Sequence, residues 1–220
     1  MAPGPPEASF VCLTADVIAS RAGGRGMPVQ EAIRGALARA NRAFAPQLAV
    51  PFSITLGDEF QALFRDVQGA LEAELFLRLA LAPLAIRCGL GAGGITGPVA
   101  PRTAEMDGPC FYRSREALET AQGRRAPLTW LRSGDGETDA AANACFLLLA
   151  ALHGRWSPKQ VEALGVYLEA GTQTAAARVL GISQPGLRKR LQSARAPEYL
   201  EARGLLGAFL AERLGPRPGP

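Results

Sequence analysis

Three carboxylates are placed where they could share a cation. Asp16 ends the apolar segment "SFVCLTAD", and Asp58 and Glu59 follow a glycine in "TLGDEFQALF", between two alternating runs that read as the arms of a hairpin. Carboxylates brought together from a strand end and a hairpin tip can hold Mg²⁺ against triphosphate oxygens, the chemistry of metal-assisted nucleotidyl transfer. The plainer reading is that each aspartate caps a turn or a helix, as aspartate commonly does. Spacing alone leaves both readings open.

A second group could do chemistry of another kind. "AAARVLGISQPGLRKRL" reads as a short helix, a turn at Gly181 and a second helix capped by Ser183, with Ala176 or Ala177, Val179, Leu180, Ile182, Leu187 and Leu191 at the apolar positions. Gln184, Arg188, Lys189 and Gln192 then face outward, with Arg178 and Arg190 nearby. That is the composition a helix needs to enter a major groove while basic side chains meet phosphates. The stretch resembles the helix-turn-helix of bacterial regulators and the fourth region of sigma factors, which implies that Ser183, Gln184 and the basic residues touch duplex DNA. The plainer reading is an antiparallel helix pair with a solvated basic face. Charge supports the first: residues 155–195 hold seven basic side chains against two acidic ones, whereas residues 1–154 hold fourteen against fifteen.

These groups need elements to position them. "SFVCLTAD" predicts a strand and "PVQEAIRGALARANRAF" a helix; "PFSITLGDEFQALFRD" predicts a hairpin and "VQGALEAELFLRLAL" a second helix stopped by Pro83. "LAIRCGLGAGGI" predicts a strand whose glycines mark its end. "DGPCFYRSREALETAQ" predicts a third helix with Asp107 as N-cap and Pro109 in the first turn, and "PLTWL" a last strand. The order βαββαβ, with one further helix and strand, is that of an α+β, ferredoxin-like (palm-like) sheet with helices on one face. "RSGDGETD" is polar and glycine-bearing, and every periodic segment beyond it is helical. The expected organisation is a disordered tail over 1–8, a palm-like domain over 9–133, a linker over 134–139, an all-α domain carrying the helix-turn-helix over 140–214, and a loose end over 215–220.

Composition excludes several classes. The longest apolar runs, such as "ACFLLLAAL", fall short of the ~20 residues of a membrane span, and the first residues lack the basic start and apolar run of a secretory signal, so a cytoplasmic protein is expected. Cys12, Cys88, Cys110 and Cys145 are scattered and His153 stands alone, which predicts free thiols and a structural histidine.

The segments "ADVIASR", "TLGDEFQALF", "IRCGLGAGGI" and "DGPCFYRSREALE" together resemble the SatD family of bacterial proteins, and the likeness runs through the two-helix segment. More distantly, the first half is similar to the palm of class III nucleotide cyclases and GGDEF diguanylate cyclases. That resemblance implies Asp16, Asp58 and Glu59 as metal ligands, Mg²⁺ as the cofactor, and Val17, Ile18, Ala19, Ser20 and Arg21 as a loop for phosphates. Arg113 or Arg115 would stand in for the transition-state arginine. Two departures count against cyclase activity: Leu56 replaces the first glycine of the GGDEF hairpin, and "PCFYRSREA" lacks the asparagine that cyclases place before that arginine. The reading is a DNA-binding regulator, expected as a homodimer, whose palm-like domain binds a nucleotide or serves dimerisation. The alternatives are a divergent nucleotide cyclase or nucleotidyltransferase, and a protein-binding adaptor.

Overall fold

The computed structural model describes residues 10–18, 27–124 and 126–215. Five strands, β1 (Phe10–Ile18), β2 (Leu48–Leu56), β3 (Glu59–Phe64), β4 (Ala85–Gly93) and β5 (Thr129–Arg132), form one mixed sheet in the order β2-β3-β1-β4-β5. The first four pair antiparallel, and β5 joins β4 in parallel. Helices α1 (Met27–Ala43) and α2 (Val67–Ala80) make the two crossings of a ferredoxin-like unit. Asp66 starts α2 by accepting the Gly69 amide hydrogen at 2.8 Å, a cap worth ~1 kcal/mol.

Every residue of β1 from Val11 to Val17 is buried, so both faces of this central strand are covered. Val11, Leu13, Ala15 and Val17 share one core with Ile33 and Leu37 of α1 and Ala70 and Leu71 of α2. The alternate residues, Cys12, Thr14 and Asp16, point to the other face, where α3 (Pro109–Gly123) lies. The expectation of helices on one face therefore holds for α1 and α2 and is corrected for α3.

Glycine permits that placement. A Cβ at Gly89 would stand 2.2 Å from the Ser114 carbonyl oxygen, and one at Gly91 2.2 Å from the Cys110 oxygen and the Ser114 nitrogen. These glycines lie within β4 and form the contact line for α3; they do not mark the strand's end. The start of α3 also differs from expectation: Gly108 is the N-cap, and Asp107 accepts the Gly108 amide hydrogen at 2.8 Å.

Helix α4 (Gly136–His153) begins inside the segment expected to be a linker. Asp139 is buried there, and its carboxylate accepts the Ser133 main-chain N–H and hydroxyl, both at 2.7 Å. One turn on, Asn143 accepts from the Leu131 amide at 2.8 Å and donates to the Leu131 carbonyl at 3.0 Å, satisfying the free edge of β5. Then follow α5 (Pro158–Ala170), α6 (Gln173–Val179), α7 (Gln184–Ser193) and α8 (Ala196–Leu214). Phe146 and Leu149 of α4 and Tyr199, Leu206 and Leu210 of α8 belong to the same core as the sheet, while α5, α6 and α7 close over a smaller core of their own.

A buried ionic cluster holds α8 to α2. Arg78 donates from Nε to Glu74 Oε1 at 2.7 Å, from Nη1 to the Ile86 and Pro127 carbonyls, and from Nη2 to Thr129. Arg203 of α8 donates to the Leu71 carbonyl and lies 2.8 Å from Glu74 Oε2; that oxygen accepts no aligned hydrogen bond, so the contact is an ion pair only. Burial pushes the Glu74 carboxyl up, but the Arg78 and Arg203 guanidiniums and the Thr129 hydroxyl outweigh it and hold the group at about 2.

Candidate functional site

The antiparallel register of β1 and β3 sets Asp16 directly opposite Glu59, so both carboxylates lie on the sheet face that α3 covers. On the other side of β1, Asp16 faces Arg87 of β4. Arg87 grips it with both arms, Nε to Oδ1 at 3.0 Å and Nη2 to Oδ2 at 2.6 Å, and Gln122 of α3 adds a bond to Oδ2 at 3.1 Å. Glu59 is held in the same way by Arg115 of α3, through two bonds of 2.6 Å, and by the Thr55 hydroxyl at 2.9 Å. The bond to Glu59 raises the Arg115 pKa above its ordinary range, against the opposing effect of partial burial. Next along the face, Gln61 donates to Thr14 at 2.8 Å, and Thr14 pairs with the Ser114 hydroxyl at 2.9 Å.

The other expected site residues take different places. Asp58 is half-buried in the hairpin turn beside Gly57, whose left-handed φ of 61° favours glycine. Val17 points into the core beneath α1 and α2, and Ile18 ends β1 opposite Ala85. Ala19, Ser20 and Arg21 lie outside the described residues. Arg113 donates to the Ala92 carbonyl at 2.6 Å, and its guanidinium covers Gly134. Ala92 pairs with Val11, about 17 Å along β1 from Asp16, so of the two arginines only Arg115 joins the acidic rim.

Among the described residues, no group of three or more His, Cys, Asp or Glu side chains is arranged to hold a metal ion. Both carboxylates that meet on the rim already bond bidentately to arginine, which supplies the positive charge a divalent ion would bring. As arranged, the described donors do not fit Mg²⁺. Arg87, Gln122, Thr55 and Gln61 carry this network, and sequence reading missed them. Only the parity of "AIRCGLG", which puts Arg87 on the same face as Gly89 and Gly91, signalled one of them.

The second group assembles as a compact unit. Thr172 caps α6 and Ser183 caps α7, each accepting an amide hydrogen at 3.2 Å. Gly181, at φ 63°, turns the chain between them. Ala176 and Ala177 of α6 and Leu187 and Leu191 of α7 pack on Ala163 and Leu164 of α5. Trp156 fixes the end of α7 by donating to the Ala194 carbonyl at 2.7 Å. With its apolar face spent in this way, α7 exposes Gln184, Arg188, Lys189 and Gln192, its N-cap Ser183 is exposed as well, and Arg190 is half-buried; Arg178 on α6 is exposed too. Among the described residues, none of these four cations enters an ion pair.

A family model matches residues 10–207, the stretch that carries both the acidic rim and the basic helix pair. The chain belongs to the SatD family. No curated protein matches it significantly. Solved structures similar to this SatD-family chain include the catalytic core of a rhodopsin-guanylyl cyclase with converted specificity in complex with ATPalphaS. That core is 15% identical, with 57% of this chain and 77% of that chain covered, at a TM-score of 0.38. A bacterial light-regulated adenylyl cyclase is 14% identical, with 58% and 77% covered and a TM-score of 0.38. A regulator of polyketide synthase expression from Bifidobacterium adolescentis is 16% identical, with 92% and 86% covered and a TM-score of 0.27. No helix among the described residues is long and apolar enough to cross a membrane.

Proposed function

We propose that the protein is a DNA-binding regulator and that α6, its four-residue turn and α7 form its helix-turn-helix. One observation carries this reading: α7 buries Leu187 and Leu191 and turns outward a row of glutamine, arginine and lysine that no acidic side chain neutralises among the described residues. An acidic residue three or four positions away would pair with such a cation on the helix surface. Here Arg188, Lys189 and Arg190 follow one another without one. Gln184 and Arg188, one turn apart, read base edges, while Arg178, Lys189 and Arg190 meet phosphates and Ser183 and Gln192 flank the contact.

A unit this small covers little DNA. The regulator works as a homodimer whose two recognition helices enter successive major grooves, ~34 Å apart. Each carboxylate of the acidic rim binds an arginine tightly, so we assign the sheet unit to scaffolding and dimerisation and draw no nucleotidyl chemistry through it. The test is selection of duplexes from a randomised pool, followed by binding measurements with Arg188→Ala combined with Lys189→Ala. These positions are exposed, so the variant folds. Loss of duplex binding supports the assignment, and unchanged binding refutes it.

A further inference from the structure

A cleft of about 870 Å³ lies between α1 and α2 on one side and α5 and α8 on the other. Its volume falls within the range of small-molecule sites, which recur where two packed units meet. Leu75 and Leu79 of α2 and Val166 of α5 line it, and Phe44 and Phe76 stand edge to face in its wall with ring centroids 5.7 Å apart.

The charged groups along this cleft are three acidic and two basic. Glu72, Glu162 and Glu169 line it, against Arg39 and Arg203. Arg203 is already engaged by Glu74 and the Leu71 carbonyl. Arg39 projects from α1 across the cleft: its guanidinium lies 5.3 Å from the Phe76 ring centre and pairs with Glu169 of α5. An aromatic face and a carboxylate together make a cation site, and the chain's own guanidinium fills it. Both members of that pair are about half exposed, 45% and 54%, so the ion pair lost on displacing Arg39 costs only ~0–1 kcal/mol. Glu162 has no cation partner among the described residues, and Glu72 only accepts a bond from Gln68 at 2.8 Å.

We propose that this cleft binds a small organic cation, an ammonium or guanidinium joined to a compact hydrophobic body. The head group replaces Arg39 between Phe76 and Glu169, and the body lies on Leu75, Leu79 and Val166. Helix α5 forms one wall of the cleft and also packs on α6 and α7, so the ligand sits where it can bias the position of the basic helix pair against the sheet. The site itself does not depend on the DNA-binding reading.

The test is calorimetric titration of the full chain with 1-adamantylammonium and with 1-adamantanecarboxylate, which share one body and differ in charge. The ammonium is expected to bind, and the carboxylate to bind at least about tenfold more weakly. Gly165→Phe plugs the cleft. Gly165 lines it, a Cβ there meets only Leu79 Cβ at 3.8 Å, and replacing a helix-interior glycine does not weaken the helix. This variant should retain its circular dichroism spectrum and lose ammonium binding. Glu162→Gln with Glu169→Gln, two surface changes, should weaken the ammonium about tenfold. Arg39→Met should strengthen it by removing the internal competitor. Absence of ammonium binding, equal binding of the carboxylate, or ammonium affinity indifferent to Gly165→Phe would each overturn the proposal.

Discussion

The buried cluster of Glu74, Arg78 and Arg203 predicts an asymmetry between two substitutions in the same contact. Its three side chains are 1%, 6% and 9% exposed, and together they carry one negative and two positive charges. Glu74→Gln leaves two guanidiniums facing each other with no anion between them. Removing the sole counter-charge of a buried pair costs ~3–5 kcal/mol, a fall of roughly 6–20 °C in melting temperature for a chain of this size. Arg203→Met leaves the Glu74–Arg78 pair neutral and intact and forfeits one ion pair and one bond to Leu71, about 1–2 kcal/mol. The acid limb reads the same group in a second way. The folded Glu74 carboxyl sits at about 2, below its ordinary 4.5, so its contribution is complete above pH 4.5 and is lost as pH falls from there towards 2. The shift corresponds to ~3 kcal/mol. Urea and thermal unfolding of both variants at neutral pH, followed by circular dichroism, measures the difference. The reasoning fails if Arg203→Met destabilises as much as Glu74→Gln, or if Glu74→Gln costs less than about 1 kcal/mol.

Three further outcomes are expected. Burial, with the Arg78 charge adding to it, lowers the His153 pKa to about 4 from 6.5, so this group's contribution is full above pH 6.5 and declines as pH falls towards 4. His153→Leu should flatten that part of a stability-versus-pH curve, which amounts to ~3 kcal/mol. Gly91→Ala would drive a methyl group into the main chain of α3 at Cys110 and Ser114, where neither contacting atom can swing aside; unfolding titrations should report a loss of about 3 kcal/mol or more. Arg87→Ala with Arg115→Ala frees Asp16 and Glu59 from their partners. Mn²⁺ should then raise the melting temperature of this variant and leave that of the parent unmoved, and a parent stabilised by Mn²⁺ would show that the arginines do not occupy the rim.

The ferredoxin-like order was legible because β1, the hairpin and the two crossing helices each carry their own period, and the glycine of the hairpin and Pro83 punctuate them. The opposite-face position of α3 was not. It depends on Gly89 and Gly91 acting as a contact line, and a glycine in a strand looks the same in sequence whether it ends the strand or admits a helix. The anchoring of α4 was not legible for a related reason: Asp139 and Asn143 find their partners in Ser133 and Leu131 only once β5 is in place. At the acidic rim, the meeting of Asp16 with the hairpin followed from topology. The neutralising arginines did not, because Arg87 and Arg115 lie 71 and 56 positions from their partners and no local pattern links them. The basic helix pair was the most legible part, since its caps, turn and apolar positions all lie within one short segment.

The account rests above all on α7 meeting phosphates. Fluorescence anisotropy of a labelled duplex, titrated with the protein at increasing salt, measures how many cations do so. With Arg178, Lys189 and Arg190 on phosphates, the logarithm of the association constant should fall against the logarithm of salt with a slope of about −3 per helix pair, and Arg188→Ala with Lys189→Ala should reduce the slope by about 1, through the lost Lys189 contact. A slope near zero, or one that the double variant leaves unchanged, would contradict the assignment.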